Sequence, residues 1–339
     1  VDSNGILPLR VAEDAFDTAY AFRRFLQREL RPHLLDFPEA NPLRGVRGAE
    51  IPAEIARRWP PGIPDDAETL PLESSVPAVE LHGGSHAGEA RVREFLDAKL
   101  EHYETDRNKP DEDVASGLSP YLHFGHVSSH AIVRDLLDRA GWEPDHLSPR
   151  TDGKRRGWWG LPSEQEAFLD QLVTWRELGF NAAVHMPRYE EFDSLPAWAL
   201  KTLEKHEDDE RPHLYTLEEF ADAGTHDHLW NAAQRQLRET GVIHNYLRML
   251  WGKKILEWSP SPRDAAAIMI ELNNRFALDG RDPNSYRGIY WVLGRYDRAW
   301  GPERPVFGKI RYMTSANTAR KVSVRGYLQR FAPDDGPRP

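Results

Sequence analysis

The chain has 339 residues, 40% of them apolar and 29% charged, a globular composition long enough for two domains or for one large helical domain with a tail. No run approaches the roughly 18–20 apolar residues of a membrane span, and the absence of cysteine excludes disulfides, thiolate metal sites and cysteine nucleophiles, so a cytoplasmic location is the default expectation. The formal net charge of −10 argues against a protein that coats nucleic acid, yet residues 290–330 carry nine Arg or Lys against two Asp or Glu. A basic face on an acidic whole is therefore expected.

The chain opens on V-D-S-N-G-I-L-P-L, which reads as the end of a strand, with neither Met nor a signal peptide; a cut from a longer chain is expected. Asp14 to Leu35 has helical spacing, with Phe16, Ala19, Tyr20, Phe22, Phe25 and Leu26 on one side and arginines on the other. Residues 37–86 are rich in Pro, Gly and Ala and read as an interdomain linker. A second amphipathic helix is expected from Glu89 to Tyr103, then the loop N-K-P-D-E-D-V-A-S-G and the segment L-S-P-Y-L-H-F-G. The stretch from about Pro144 to Ser163 is polar, with an exposed-looking R-R-G-W-W. Helical periodicity then marks Glu164 to Phe180, His228 to Glu239, Ile243 to Glu257 and Pro262 to Phe276, with no alternating strands and no fixed repeat. The C-terminal half reads as all-α with long functional loops.

Chemistry concentrates between Leu229 and Lys321. Trp230, Trp251 and Trp258 fall on consecutive predicted helices, and the spacing of seven places the last two on one face. Aromatic core packing is the bland alternative. Gly252, two lysines, Asn231, Gln234, His244 and Asn245 surround the rings, more hydrogen-bonding groups than a plain core needs. Asp279, Arg281, Asp282 and Asn284 form a donor- and acceptor-dense turn. It is either a surface loop of Asx turns or a wall for a polar ligand, because burying such groups unpaired costs about 1–3 kcal/mol each. Beyond it, Arg295, Arg298, Arg304, Lys309 and Arg311 interleave with Tyr296, Trp300, Phe307 and Tyr312. That pattern suits phosphate contacts with base stacking, or else a solvated charged edge.

The run L-W-N-A-A-Q…H-N-Y-L-R-M-L-W-G-K-K-I-L-E-W…L-D-G-R-D-P-N-S-Y-R-G-I-Y-W…D-R-A-W…F-G-K-I-R-Y-M resembles the class II branch of the DNA photolyase and cryptochrome family, the cyclobutane pyrimidine dimer photolyases. L-S-P-Y-L-H-F-G at 118–125 and W-R-E-L at 175–178 are similar to further signatures of that family, and the likeness covers roughly residues 1–325. It implies a mainly α fold: an all-helical FAD-binding domain at 87–330, preceded by the end of an α/β antenna domain at 1–36 and a linker at 37–86, and followed by a disordered tail at 331–339.

The resemblance also implies FAD as cofactor, with Ser116, Leu118 and Ser119 at the diphosphate and Tyr103 nearby. Arg248 and Asp279 would pair beside the flavin, and Asn273 would face its N5. Trp251, Trp230 and Trp258, in that order outward, would relay electrons to the flavin. The implied reaction is repair of pyrimidine dimers in damaged DNA: light drives an electron from reduced FAD to a flipped-out dimer, with no acid, base or nucleophile required. Gln171, Trp175, Tyr246, Met249, Trp291 and Arg311 would line the lesion pocket.

Two positions depart from the family pattern. Gln171 stands four residues before Trp175, where a Glu is expected, and Ala131 falls where an Arg is usual. A cryptochrome-like photosensor that keeps FAD and the relay is therefore the alternative, and a chain that no longer binds flavin is a third. A monomer is expected, without membrane association, and with an antenna domain or chain that is possible but missing.

Overall fold

The computed structural model describes residues 4–35, 37–39, 41–60 and 76–333. Among these residues the protein is helical throughout, without a sheet; one isolated bridge joins Arg304 and Gly308. No helix among them is long and apolar enough to cross a membrane.

Local sequence explains where the central helices begin. Asp227 accepts the amides of Leu229 and Trp230 at 3.0 Å and starts His228–Thr240. Ser-Pro and Asp-Pro pairs start the next two. Ser261 caps Pro262–Phe276 by accepting the Asp264 amide at 3.1 Å, and Asp282 caps Pro283–Val292 by accepting the Asn284 amide at 2.8 Å. Between them, Asn245–Trp258 has nine of its fourteen residues buried, so it is wrapped on nearly all sides and is the axis of the C-terminal half.

Two hydrophobic cores result. One runs from Leu195 to Tyr327 around that axis; the other joins Ile6–Leu34 to Val92–Leu178, with Tyr296 added. Helix Pro283–Val292 links them, since it packs on Arg176–His185 as well as on Asn245–Trp258. Gly179 permits the close approach: a Cβ there would lie 2.9 Å from the Asn284 backbone.

Several expectations require correction. The strand-like opening contains no strand over its described residues 4–9. The Glu177 carboxylate takes the amides of Ile6 (2.6 Å) and Leu7 (3.3 Å), and a 3₁₀ turn follows at Leu9–Val11. Residues 1–3 lie outside the described residues, as do 36, 40, 61–75 in the linker and 334–339 in the tail. The first helix is shorter than its pattern, Ala19–Glu29, and a short helix, Ala53–Arg58, interrupts the linker.

Trp158 and Trp159 of R-R-G-W-W are buried, stacked edge-on at 5.0 Å, and the Trp159 carbonyl accepts the Trp142 indole N–H at 2.7 Å. Their aromatic area outweighs the two arginines before them. The helix expected over 164–180 is helical throughout and carries a π segment at Asp170–Trp175, and another π segment, Phe95–Lys99, follows helix Ser85–Glu94.

Candidate active site

Where the linking helix meets the second core, one cavity is lined by Tyr103, Ser116, Leu118, Ser119, Leu122, Phe168, Gln171, Leu172, Arg176, Asp279, Asp282 and Asn284. Five of the seven expected cofactor residues are thus brought together: Tyr103, Ser116, Leu118, Ser119 and Asp279. Arg91 shapes the serine loop from behind, donating to the Ser116 carbonyl at 2.7 Å and to the Ala115 carbonyl at 2.9 Å. Gly117 is obligatory there, with φ +65° and the Arg91 guanidinium 2.7 Å from where a Cβ would sit. Burial pushes the Tyr103 phenol up, so it remains a neutral hydroxyl.

The other two expected residues lie behind this wall. Arg248 is half-buried and reaches Asp279 at 3.4 Å. Asn273 is buried and its Nδ2 donates to Ser285 Oγ at 2.7 Å, which leaves Oδ1 as the acceptor it can offer. Of the polar turn, Asp279, Asp282 and Asn284 face the cavity, whereas Arg281 folds back onto Asn274. Arg176 was not singled out by the sequence; it adjoins Trp175 in W-R-E-L, and that adjacency was the available signal.

The hydroxyls, the guanidinium and the amide around this space form a donor set suited to a diphosphate, and the Arg248–Asp279 pair is suited to the edge of a polar ring. The enclosed volume is about 110 Å³, below the roughly 300–1,000 Å³ of small-molecule sites. The chemistry of the donors therefore carries the fit, and volume does not.

The three tryptophans are buried: Trp230 at 0%, Trp251 at 3% and Trp258 at 2% exposure. Trp251 lies one turn beyond Arg248 on the same helix, and its indole N–H donates to Gln234 Oε1 at 2.8 Å. The Trp230 indole N–H donates to the Trp251 carbonyl at 3.0 Å, and the rings of Trp230 and Trp258 are 6.1 Å apart, edge to face. All three are therefore core aromatics; the rings of Trp230 and Trp258 meet, and Trp251 is joined to Trp230 through its backbone carbonyl.

The six expected lesion-pocket residues are all half-buried. Trp175 and Trp291 pack against the second core, Tyr246 and Met249 against the first, so the four flank the seam between the cores. Gln171 lines the cavity beside the expected cofactor residues. Tyr246 and Arg311 line a separate hollow together with Trp300, Arg304 and Lys321. Cations cover the flat rings: Arg287 lies 5.2 Å from Trp175, and Lys253 and Arg311 lie 5.6 and 5.8 Å from Trp291. Ala131 is exposed on helix Ser129–Arg139 and does not line the cavity.

The basic and aromatic strip is thinner than its sequence suggests. Arg298, Arg304 and Lys309 are exposed, but Arg295, Tyr296 and Phe307 are buried. Trp300 and Tyr312 remain as stacking faces, under Arg298 (4.3 Å) and Arg304 (4.9 Å).

Comparison with known proteins defines the class first. The structure resembles that of a class III photolyase from Agrobacterium tumefaciens, with a TM-score of 0.61 at 16% identity over 97% of this chain and 61% of the other. This is the helical fold of photolyases and cryptochromes. No family profile matches the sequence. Individual relatives do match. The chain is 37% identical to a deoxyribodipyrimidine photo-lyase of Oryza sativa subsp. japonica over 97% of this chain and 62% of the relative. It is 36% identical to a deoxyribodipyrimidine photo-lyase of Methanothermobacter thermautotrophicus over 98% of this chain and 67% of the relative. The chain belongs to the photolyase/cryptochrome family, and it spans about two thirds of the length of these relatives.

Proposed function

We propose that this chain is a class II photolyase that binds FAD and uses light to split cyclobutane pyrimidine dimers in DNA. The observation that carries the reading is the cavity that gathers Tyr103, Ser116, Ser119 and Asp279, with Arg248 paired to Asp279 and Trp251 one helical turn beyond. FAD bound here would supply the light-excited one-electron donor. Ser116, Leu118 and Ser119 would hold the diphosphate, with the Tyr103 hydroxyl nearby. Arg248, oriented by Asp279, places positive charge beside the ring. Asn273 would offer a neutral acceptor toward N5, which would tune proton uptake without adding charge. Trp251, Trp230 and Trp258 form the path for electrons from outside.

On the open side, Trp175 and Trp291 present faces for flipped pyrimidines, Tyr246 and Met249 border them, and Arg311 takes a neighbouring phosphate. On the same reading 87–330 form the flavin domain of a monomer, 37–86 link it to an antenna domain, and residues 1–36 end that domain while Ile6–Leu34 pack into the second core with Val92–Leu178.

Gln171 favours a second reading, a cryptochrome-like photosensor. Its amide lines the cavity where a carboxylic acid could share a proton with the dimer, and an amide cannot.

Illumination of the reduced, FAD-loaded protein with dimer-containing DNA tests the choice. Repair restores thymine absorbance; bound FAD without recovery leaves the sensor reading, and failure to bind FAD discards both.

A further inference from the structure

Trp175 and Trp291, the rings proposed to take the pyrimidines, stand on different segments, and one half-buried cation is associated with both. Arg287 lies four residues before Trp291 on helix Pro283–Val292, which places the two on one face, and its guanidinium is 5.2 Å from the Trp175 ring. Its Nε donates to Asn284 Oδ1 at 2.8 Å, and Asn284 lines the cavity together with Gln171. That bond fixes the side chain and leaves Nη1 and Nη2 as donors without an acceptor among the described residues.

Among the described residues this guanidinium makes no ion pair. Asp282, the carboxylate whose charge reaches it, is engaged by His123 at 3.2 Å. The buried Arg23, by contrast, is paired with Asp170 at 2.6 Å. Burial pushes Arg287 down to about 10, so it keeps its charge at neutral pH. Burial likewise pushes the Tyr296 phenol up, against the charges of Arg295 and Arg287, and among the described residues its buried hydroxyl has no hydrogen-bond partner. An unpaired cation and an orphaned hydroxyl held together away from water are costly until an acceptor arrives.

We infer that Arg287 contacts the pyrimidine dimer itself and supplies, as a fixed positive charge, the stabilisation that Gln171 cannot supply as an acid. The inference rests on the proposed repair of dimers. The dimer gains one electron from the flavin, and the added negative charge spreads onto its carbonyl oxygens. Arg287 donates Nη–H hydrogen bonds to those oxygens. The two cyclobutane C–C bonds then break, two C=C bonds form, and the electron goes back. No proton is transferred at any stage, so position 171 need not provide one. Arg287 thus reads base edges at the level of the rings, whereas on the same reading Arg311 meets a phosphate.

Three variants of the FAD-loaded protein test this. Arg287→Met and Arg287→Gln remove the charge, and Arg287→Lys keeps it. Both neutral variants should retain flavin, its light-driven reduction and the melting temperature of the unmodified chain. At saturating dimer-containing DNA their repair yield should fall by roughly tenfold, the loss of one charge-assisted hydrogen bond. Their preference for dimer-containing over intact DNA, measured in the dark by displacement of a labelled duplex, should fall with it. Arg287→Lys should recover most of both. Unchanged yield and preference in the neutral variants overturn the proposal. Weaker binding at unchanged yield, with the salt slope of log K reduced by about one, marks a phosphate contact and also overturns it. So does loss of flavin and of melting temperature in all three variants alike, the mark of a structural role. If the unmodified, FAD-loaded chain repairs nothing, the repair reading fails and this inference with it; repair that is indifferent to Arg287 overturns this inference alone.

Discussion

Trp230, Trp251 and Trp258 are the same side chain as Trp175 and Trp291 in a different setting. The first three are fully buried, and the indole N–H groups of Trp230 and Trp251 each have a partner at 3.0 Å or less. Each buries about 200 Å², an upper-bound contribution of about 5 kcal/mol at ~25 cal/mol per Å². Their ring positions are therefore fixed by packing. The second pair is half-buried at the seam between two cores, with rings held under arginine and lysine side chains. The half-buried Arg311 over Trp291 can be exchanged for a base, whereas a ring inside a core cannot be exposed without unfolding. One region is built to hold its geometry; on the proposed function the other receives a partner.

The largest expected effect tests the fixed region. Trp251→Phe should abolish light-driven flavin reduction while FAD stays bound. It should also cost about 1–3 kcal/mol of stability, because Gln234 Oε1 is left buried without its donor. Steady illumination followed by thermal denaturation reads both, and undiminished photoreduction would remove Trp251 from the path.

Gln171→Glu sharpens the receiving side. The introduced carboxyl would share the cavity with Arg176, Asp279 and Asp282, and in its protonated form it offers the shared proton that an amide cannot. Repair yield per absorbed photon should rise several-fold, the more so toward lower pH. An unchanged yield would mean that the lesion is held by other groups.

The smallest effect concerns the packed contact between the regions. Lys253 is fully buried between the axis helix and Trp291, donates to the Val292 carbonyl, and is held by burial down at about 7. Between that value and the ordinary lysine range the unfolded chain binds a proton that the folded chain lacks, so stability rises with pH. Lys253→Met removes this dependence. Denaturant midpoints should show the unmodified chain gaining on the variant as pH rises above about 7, by at most about 1.4 kcal/mol per pH unit. Parallel curves would show that Lys253 stays charged.

Much of the helical half is legible in sequence because its signals are local. Ser261-Pro262 sets the start of a helix whose observed span, Pro262–Phe276, is the one its periodicity predicts. Asn245–Trp258 follows the same rule with its start two residues late. Signals that depend on a partner mislead. Ile6 and Leu7 have strand-like neighbours, but a carboxylate 171 and 170 residues away takes their amides. Trp158 and Trp159 follow two arginines and are buried all the same, because Trp142 and the second core are there to cover them.

The sequence by itself determined the helical architecture, the family, and the residue types available for a flavin and a nucleic acid, since caps, periodicity and motif spacing are properties of short segments. Only the tertiary structure decided which of those residues meet. The π segment at Asp170–Trp175 widens the helical turn, so residues four apart no longer stack as in an α-helix; Gln171 lines the cavity while Trp175 lies against Arg287. Burial likewise withdrew Arg295 from the basic strip and sealed Trp258 behind Tyr215 and His226. Spacing along a chain says which groups can share a face; packing between distant segments settles which faces close and which remain open.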